Sequence, residues 1–116
     1  MNVEEIRLYA LEKSQTSEDL KWGENLCLMV CGKIFLVLGL DETPVTAAFK
    51  VEEQIFDSLI ENEGFLQAPY FAKHQWVKIS DLESISDKDL KNFINESYLL
   101  VAQKLPKKTQ KELGLI

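Results

Sequence analysis

Two apolar, β-prone runs joined by a glycine form the clearest pattern in the chain. Residues 26–30 and 34–38 are rich in Leu, Val, Ile and Phe, and Cys31-Gly32-Lys33 stands between them. Gly32 followed by Lys33 suits a two-residue turn whose first central position needs a positive φ. The pattern therefore predicts a β-hairpin. Because both faces of its strands are apolar, we expect helices to cover one face and the other face to be only partly hydrated.

Helical periodicity predicts three helices around this hairpin, at residues 2–13, 52–62 and 86–105. Asn2 with Glu5, and Ser86 with Asp89, are capping signatures, and Pro106 is expected to end the third helix. Further strands are predicted at residues 17–22, 45–50 and 75–79. Residues 64–73 have no clear period and are predicted to be a loop. This order indicates an α+β fold, with a mostly antiparallel sheet and helices packed on one face.

Length and hydropathy indicate a single globular domain, residues 1–116. A content of 46% hydrophobic residues is enough to bury a core without disulfides or structural metal. The acidic, amphipathic first segment is not a signal peptide. The longest apolar stretch, residues 26–40, is interrupted and too short to span a bilayer as a helix. We expect a cytoplasmic protein with no membrane partner.

The net charge of −6 is unevenly distributed along the chain. Residues 1–63 carry 13 acidic and 5 basic side chains, whereas residues 64–116 carry 6 acidic and 8 basic ones. A positive face is what displaces counterions from nucleic-acid phosphates. The composition therefore disfavours a strong, sequence-independent grip on DNA, and a positive face is expected to come from the C-terminal half.

The two cysteines, Cys27 and Cys31, lie four positions apart in a predicted strand. That spacing puts them on one face roughly 13 Å apart, which is too far for a disulfide or for one metal ion. We predict two buried, free thiols and no metal site.

An ordered set of short motifs resembles the MmcQ/YjbR proteins over residues 3–113. The motifs are Lys21-Trp22-Gly23, Gly32-Lys33-Ile34-Phe35, Phe49-Lys50, Gly64, Ala68-Pro69-Tyr70, Lys73, Trp76-Val77 and Glu96-Ser97-Tyr98. The resemblance implies a CyaY-like (frataxin-like) fold. It also implies a DNA-binding protein whose physiological role is unknown.

Residues 68–78 bring together the side chains that a binding surface needs. Aromatic groups there can stack on a base or a ligand ring, and cations can contact phosphate or carboxylate. The candidate binding residues in this segment are Tyr70, Lys73, His74, Trp76 and Lys78. The alternative is that its aromatic side chains anchor a long loop to the core.

Lys33 and Lys50 complete the candidate set, because a DNA-binding protein would use them with Lys73 and Lys78 as phosphate contacts. No motif pairs His74 with a nucleophile or a carboxylate, so we predict no catalytic residue, no cofactor and no enzyme activity. Two hypotheses remain. One is weak, salt-sensitive DNA binding; the other is a protein- or small-ligand-interaction module that uses a groove around residues 68–78.

Overall fold

Helices and strands make up most of the part of the chain that the computed structural model describes, residues 1–69 and 75–116. The described helices are α1 (Val3–Leu11), α2 (Glu53–Ile60), α3 (Asp87–Ala102) and α4 (Lys107–Glu112). The strands are β1 (Thr16–Lys21), β2 (Asn25–Val30), β3 (Lys33–Gly39), β4 (Thr46–Lys50), β5 (Phe65–Gln67) and β6 (Trp76–Ile79). They form one sheet in the order β1-β2-β3-β4-β6-β5, and each neighbouring pair is antiparallel. The predicted α+β class is confirmed.

The capping residues begin the helices where the sequence predicts. The Asn2 side chain accepts a hydrogen bond from the Glu5 backbone N–H, and the Glu5 carboxylate accepts one from the Asn2 backbone N–H. Ser86 accepts from the backbone N–H of Asp89 at the start of α3. These contacts satisfy donors that the first turn of a helix leaves without a partner.

Three of the described elements were not predicted: strand β5, helix α4 and a single 3₁₀ turn at Leu82–Ser84. Strand β5 lies in the segment predicted to be a loop. The sequence did not indicate it, because three residues are too few for a periodic pattern and only their pairing with β6 makes them a strand. Helix α4 follows Pro106, which serves as its N-cap residue. Its sequence is polar, and it is held by the Gln110 side chain, which donates to the Gln103 and Leu105 carbonyls.

The β2–β3 hairpin is confirmed, but its turn is shifted by one residue. Val30 pairs with Lys33, so the two central residues are Cys31 and Gly32 rather than Gly32 and Lys33. Both have positive φ, 48° and 80°, as a type I′ turn requires. A type I′ turn matches the right-handed twist of the flanking strands, which explains why Cys31 and Gly32 are the central residues rather than the predicted Gly32 and Lys33.

The described helices pack on one face of the sheet. The main core joins Ile6 and Ala10 of α1 and Leu90 and Ile94 of α3 to alternate residues of the strands, and side chains of α2 pack against it. A second, smaller cluster lies on the opposite face: Cys27, Val37, Ala48, Ala68 and Trp76. The expected one-sided helix layer is therefore observed. None of the described helices is long and apolar enough to cross a membrane.

A buried serine joins α3 to two central strands. The Ser97 hydroxyl donates to the Phe35 carbonyl (2.6 Å) and accepts from the Lys50 backbone N–H (2.9 Å). Extending the β3–β4 register past Leu36–Phe49 would pair Phe35 with Lys50, so the hydroxyl bridges the two strands beyond their last pair. A register shift beside Leu28 leaves Phe35 outside the β2–β3 pairing. Phe35 then packs edge-on against Tyr98 of α3.

The cysteines are both free, but they differ in burial. Cys27 is fully buried on β2, as predicted, and burial raises the pKa of its thiol. The prediction that Cys31 is buried is wrong, because this residue occupies the hairpin turn and its side chain is exposed.

Replacing Gly32 tests the turn. A Cβ at this position would meet no atom within 4 Å, so Gly32→Ala causes no steric clash with other residues. Its only cost in free energy is that of holding an alanine at a positive φ. We expect a loss of about 1 kcal/mol or more in the free energy of unfolding, measured by urea denaturation. Cys31→Asn is the matched control and should be neutral or stabilising, since asparagine suits this turn position. An unchanged urea midpoint for Gly32→Ala would contradict the turn.

The two thiols should differ in reactivity. Folded protein should consume one equivalent of an aromatic disulfide reagent rapidly at Cys31, and Cys27 should react only after denaturant is added, because a buried thiol with a raised pKa supplies little thiolate. Cys31→Ser should abolish the rapid phase. Rapid labelling of two thiols without denaturant, followed by absorbance, would refute the buried position of Cys27.

Candidate functional site

The face of the sheet that carries none of the described helices is called the helix-free face here, and the strand registers show which side chains lie on it. Paired residues place one side chain from each strand in a row across this face: Asp19, Cys27, Val37, Ala48, Lys78 and Leu66. The middle of the row is small and apolar, whereas its two ends are polar or exposed. Side chains of this size cover little of the sheet, so a depression remains over β3, β4 and β6.

This depression is a groove with a cavity volume of about 690 Å³. Its apolar lining comes from Val37, Ala48, Ala68 and Pro69, with Trp22 at the rim. Its polar lining is concentrated near the start of β4 and in the turn before it: Asn25, Asp41, Glu42, Thr46 and Lys78. The volume lies in the range of small-molecule sites, roughly 300–1,000 Å³, and such sites combine apolar walls with a few polar groups.

Glu42 organises the polar end of the groove. Its carboxylate accepts from Lys78 Nζ (2.7 Å) and from the Thr46 hydroxyl. The Lys78 hydrogen bond and then the Thr46 hydrogen bond lower the pKa of the Glu42 carboxyl. Glu42 is therefore ionised at neutral pH, and the groove ends in a carboxylate and an ammonium group that face each other.

Gly39 makes room for this carboxylate. A Cβ on residue 39 would lie 2.5 Å from Glu42 Oε2 and 2.5 Å from Thr46 Oγ1, which is closer than real contacts allow. Gly39 does not have a positive φ, so close approach explains this glycine and backbone conformation does not. The sequence offered no signal for the contact between Glu42 and Lys78, which are 36 positions apart.

Two predicted site residues lie on this face of the sheet: Lys78 lines the groove, and Trp76 packs in the cluster beside it. Trp76 is only 5% exposed and packs in the small cluster beneath the groove, so it fits the core alternative. Lys78 is half-buried and is engaged by Glu42. Trp22 is the aromatic residue that reaches the solvent here, with 64% of its surface exposed. Tyr70, Lys73 and His74 lie outside the described residues.

Lys33 and Lys50 lie toward the same end of two central strands. Lys33 begins β3 and Lys50 ends β4, so both are away from Glu42 and Thr46. Their paired residues, Val30 and Trp76, belong to the clusters on opposite faces of the sheet. Within the described chain, neither lysine pairs with a carboxylate. Burial, and then the charge of Lys104 just after α3, lower the pKa of Lys50. Lys104 was not among the predicted candidates.

The described candidate residues thus lie on two separate surfaces. One is the groove with its ion pair. The other, called the lysine edge below, is the end of β3 and β4 that carries Lys33 and Lys50, with Lys104 close enough to Lys50 for its charge to act there. Across residues 1–69 and 75–116, no three side chains of His, Cys, Asp or Glu are grouped as metal ligands would be.

Solved structures share this fold. The crystal structure of Deinococcus radiodurans protein DR2400, a DUF419 domain, superposes with a TM-score of 0.88 at 22% identity, covering 99% of this chain and 89% of that one. A Pseudomonas syringae protein, Northeast Structural Genomics Consortium target PsR293, gives a TM-score of 0.71 at 20% identity, covering 87% of this chain and 99% of that one. At these identities the likeness concerns the fold alone.

The search of curated proteins gave no match to this chain. The family comparison is positive. The YjbR family model matches residues 11–100, which include β1 to β6 and nearly all of α3. That match covers most of the chain and agrees with the motif resemblance noted in the sequence. The CyaY-like relationship stays a prediction. The chain belongs to the YjbR family.

Proposed function

We propose that this protein is a non-enzymatic binding module whose ligand occupies the groove on the helix-free face. The observation that carries the proposal is the groove itself, a cavity of about 690 Å³ with an apolar floor and one polar end. An apolar floor provides affinity by removing ligand surface from water, and a few polar groups set the orientation.

The state of the polar groups favours binding over catalysis. A general base works best with a pKa near the operating pH. The pKa of Glu42 is shifted downward, away from neutrality, by Lys78 and Thr46. Thr46 and Lys78 both donate to Glu42, and a carboxylate with a lowered pKa is a weak base for activating the Thr46 hydroxyl.

The polar end also narrows the ligand class. The Lys78 ammonium has three N–H donors, of which one is directed at Glu42, and the carboxylate has further acceptor sites. A head group with both a donor and an acceptor, such as an amide or a zwitterion, matches this pair. We therefore expect a small molecule or a short peptide segment with an apolar body and such a head group.

DNA binding is the second candidate, and the lysine edge is the observation that favours it. Phosphate contacts require cations that are not already neutralised, and Lys33 and Lys50 have no ion pair in the described chain. The resemblance to MmcQ/YjbR proteins points the same way. The polar end of the groove is a poor place for a phosphate, because Asp41 and Glu42 lie there.

Filling the groove tests the first proposal. A set of small neutral aromatic amides should shift backbone NMR signals of Val37, Gly39, Thr46 and Ala48. Ala48→Leu adds apolar volume to the floor of the groove and excludes part of the ligand. It should weaken binding of those amides about tenfold, because one or two ligand CH₂ groups would no longer be buried. Leu66→Ala is the control, on the same face but outside the groove, and should bind normally. The proposal would be contradicted if the amides shifted the signals of residues outside the groove, or if they bound Ala48→Leu as tightly as the unmodified chain.

Fluorescence anisotropy with a labelled duplex tests the second candidate. Affinity should lie near the weak end of the non-specific range of about 10⁻⁴ to 10⁻⁶ M. Lys33→Ala and Lys50→Ala should each weaken binding and reduce the slope of log K against log salt by roughly 0.9. Lys78→Ala should leave the slope unchanged, because Glu42 already neutralises that charge. Absence of saturable binding at low salt would rule DNA out as a ligand.

A further inference from the structure

A second cavity lies on the side of the sheet that the helices cover. Its volume is about 830 Å³, which falls in the range of small-molecule sites, roughly 300–1,000 Å³. Its walls come from the end of α2, the strands β5 and β6, the 3₁₀ turn at Leu82–Ser84 and the first turns of α3. The lining residues Phe65 and Ile79 pair across β5 and β6 and belong to the main core. The cavity and the groove therefore lie on opposite faces of the sheet.

Incomplete packing between two helices leaves this space. Helices α2 and α3 make little direct contact, and no residue of α2 is buried. Leu59 lines the cavity from the last turn of α2, and Glu63 lines it from the turn that follows. The lining residues of α3 recur every three or four positions, so they lie on one side of that helix: Ser86, Asp89, Asn92 and Phe93.

Two phenylalanines give the cavity an aromatic wall. The Phe93 ring stacks on Phe49 with ring centroids 4.8 Å apart, and the Phe65 ring meets Phe93 edge-on at 6.0 Å. Phe49 is fully buried, so a core residue fixes the position of Phe93. The rest of the apolar lining is aliphatic: Leu59, Ile79 and Ile85. Such a wall can bind the apolar body of a ligand, and aromatic faces also attract cations.

The charged lining of the cavity is entirely negative. It consists of three carboxylates: Glu63, Asp81 and Asp89. The described lining contains no lysine, arginine or histidine, and none of these carboxylates forms an ion pair within the described part of the chain. Asp81 is half-buried, and its Oδ1 accepts from the backbone N–H of Glu83, which leaves Oδ2 to accept from a ligand. The charge of the cavity therefore favours a cation and disfavours an anion.

We propose that this cavity binds a small organic ammonium ion, with its apolar body against Phe65 and Phe93 and its ammonium group among the carboxylates of Glu63, Asp81 and Asp89. The apolar wall removes the body of the ligand from water, and the carboxylates accept from the ammonium N–H donors and balance its charge. The groove has an ion pair at its polar end, whereas this cavity has negative charges alone, so the two sites select different ligands. The proposal does not depend on the function proposed for the groove.

NMR titration of the whole chain with 2-phenylethylammonium tests the site, and 2-phenylethanol is the neutral probe of matching shape. At constant ionic strength, the ammonium probe should saturably shift the backbone signals of Gly64, Ser80 and Asn92. The groove signals of Val37 and Ala48 should stay unchanged. The ammonium probe should bind about tenfold more tightly than the alcohol, because each partly solvated ion pair contributes a factor of a few.

Removing two of the three charges tests the role of the carboxylates. Asp81→Asn combined with Asp89→Asn should weaken binding of the ammonium probe about tenfold and leave binding of the alcohol unchanged. Asparagine keeps a side-chain oxygen that can accept from the Glu83 N–H, and unchanged binding of the alcohol reports that the cavity is intact. Glu83→Gln is the matched control, because Glu83 lies in the same turn but does not line the cavity. It should bind both probes as the unmodified chain does.

Equal affinity for the ammonium probe and the alcohol would overturn the proposal, as would a double variant that keeps full affinity for the ammonium probe. If the double variant loses both probes, Glu63→Gln decides, since Glu63 is exposed. This variant should bind the ammonium probe about threefold more weakly and the alcohol normally, and any other result refutes the site. Ala48→Leu in the groove should leave binding here unchanged, so this proposal and the proposed function of the groove can fail separately.

Discussion

The bridge made by the Ser97 hydroxyl is the interaction on which the arrangement of this protein depends. It links the Phe35 carbonyl and the Lys50 N–H beyond the last pair of β3 and β4, and it does so from the middle of α3. A buried hydroxyl must have hydrogen-bond partners. Ser97 reaches both of its partners only when α3 lies at one position over β3 and β4. With α3 fixed there, Phe93 stacks on Phe49 and Tyr98 packs against Phe35.

Fixing α3 on one face leaves the other face of the sheet to small side chains. Val37 and Ala48 are mostly buried there, in one cluster with Trp76. Apolar strand residues on this face would ordinarily be covered by a second layer. Among the described residues they form the floor of a groove. The polar end of that groove depends on Gly39, because only a glycine lets the Glu42 carboxylate lie over the strand. The groove and the helix layer are thus consequences of the same one-sided packing.

The strand directions place the groove's ion pair and the lysine edge at opposite ends of the sheet, although these charged residues are interspersed along the sequence. Strand β4 begins beside Glu42 and ends at Lys50, about 13 Å further along, so the groove's ion pair and the lysine edge lie apart. A single surface that combined aromatic and cationic residues, as expected for residues 68–78, is not what the described part of that segment forms: Trp76 is buried and Lys78 is neutralised by Glu42. Ligand binding in the groove and phosphate binding elsewhere are therefore independent questions that separate variants can answer.

The sequence by itself determined the α+β class, the hairpin, the helix caps at Asn2 and Ser86, and membership of the YjbR family, because periodicity, capping and ordered motifs are local properties of a chain. Only the tertiary structure decided that Glu42 meets Lys78, that Ser97 bridges β3 and β4, and that Glu63 and Asp89 line one cavity. It also decided that Cys31 is exposed and that residues 65–67 are a strand. Those contacts join positions far apart along the chain or depend on a neighbouring strand, so pairing and packing create them and no local pattern records them.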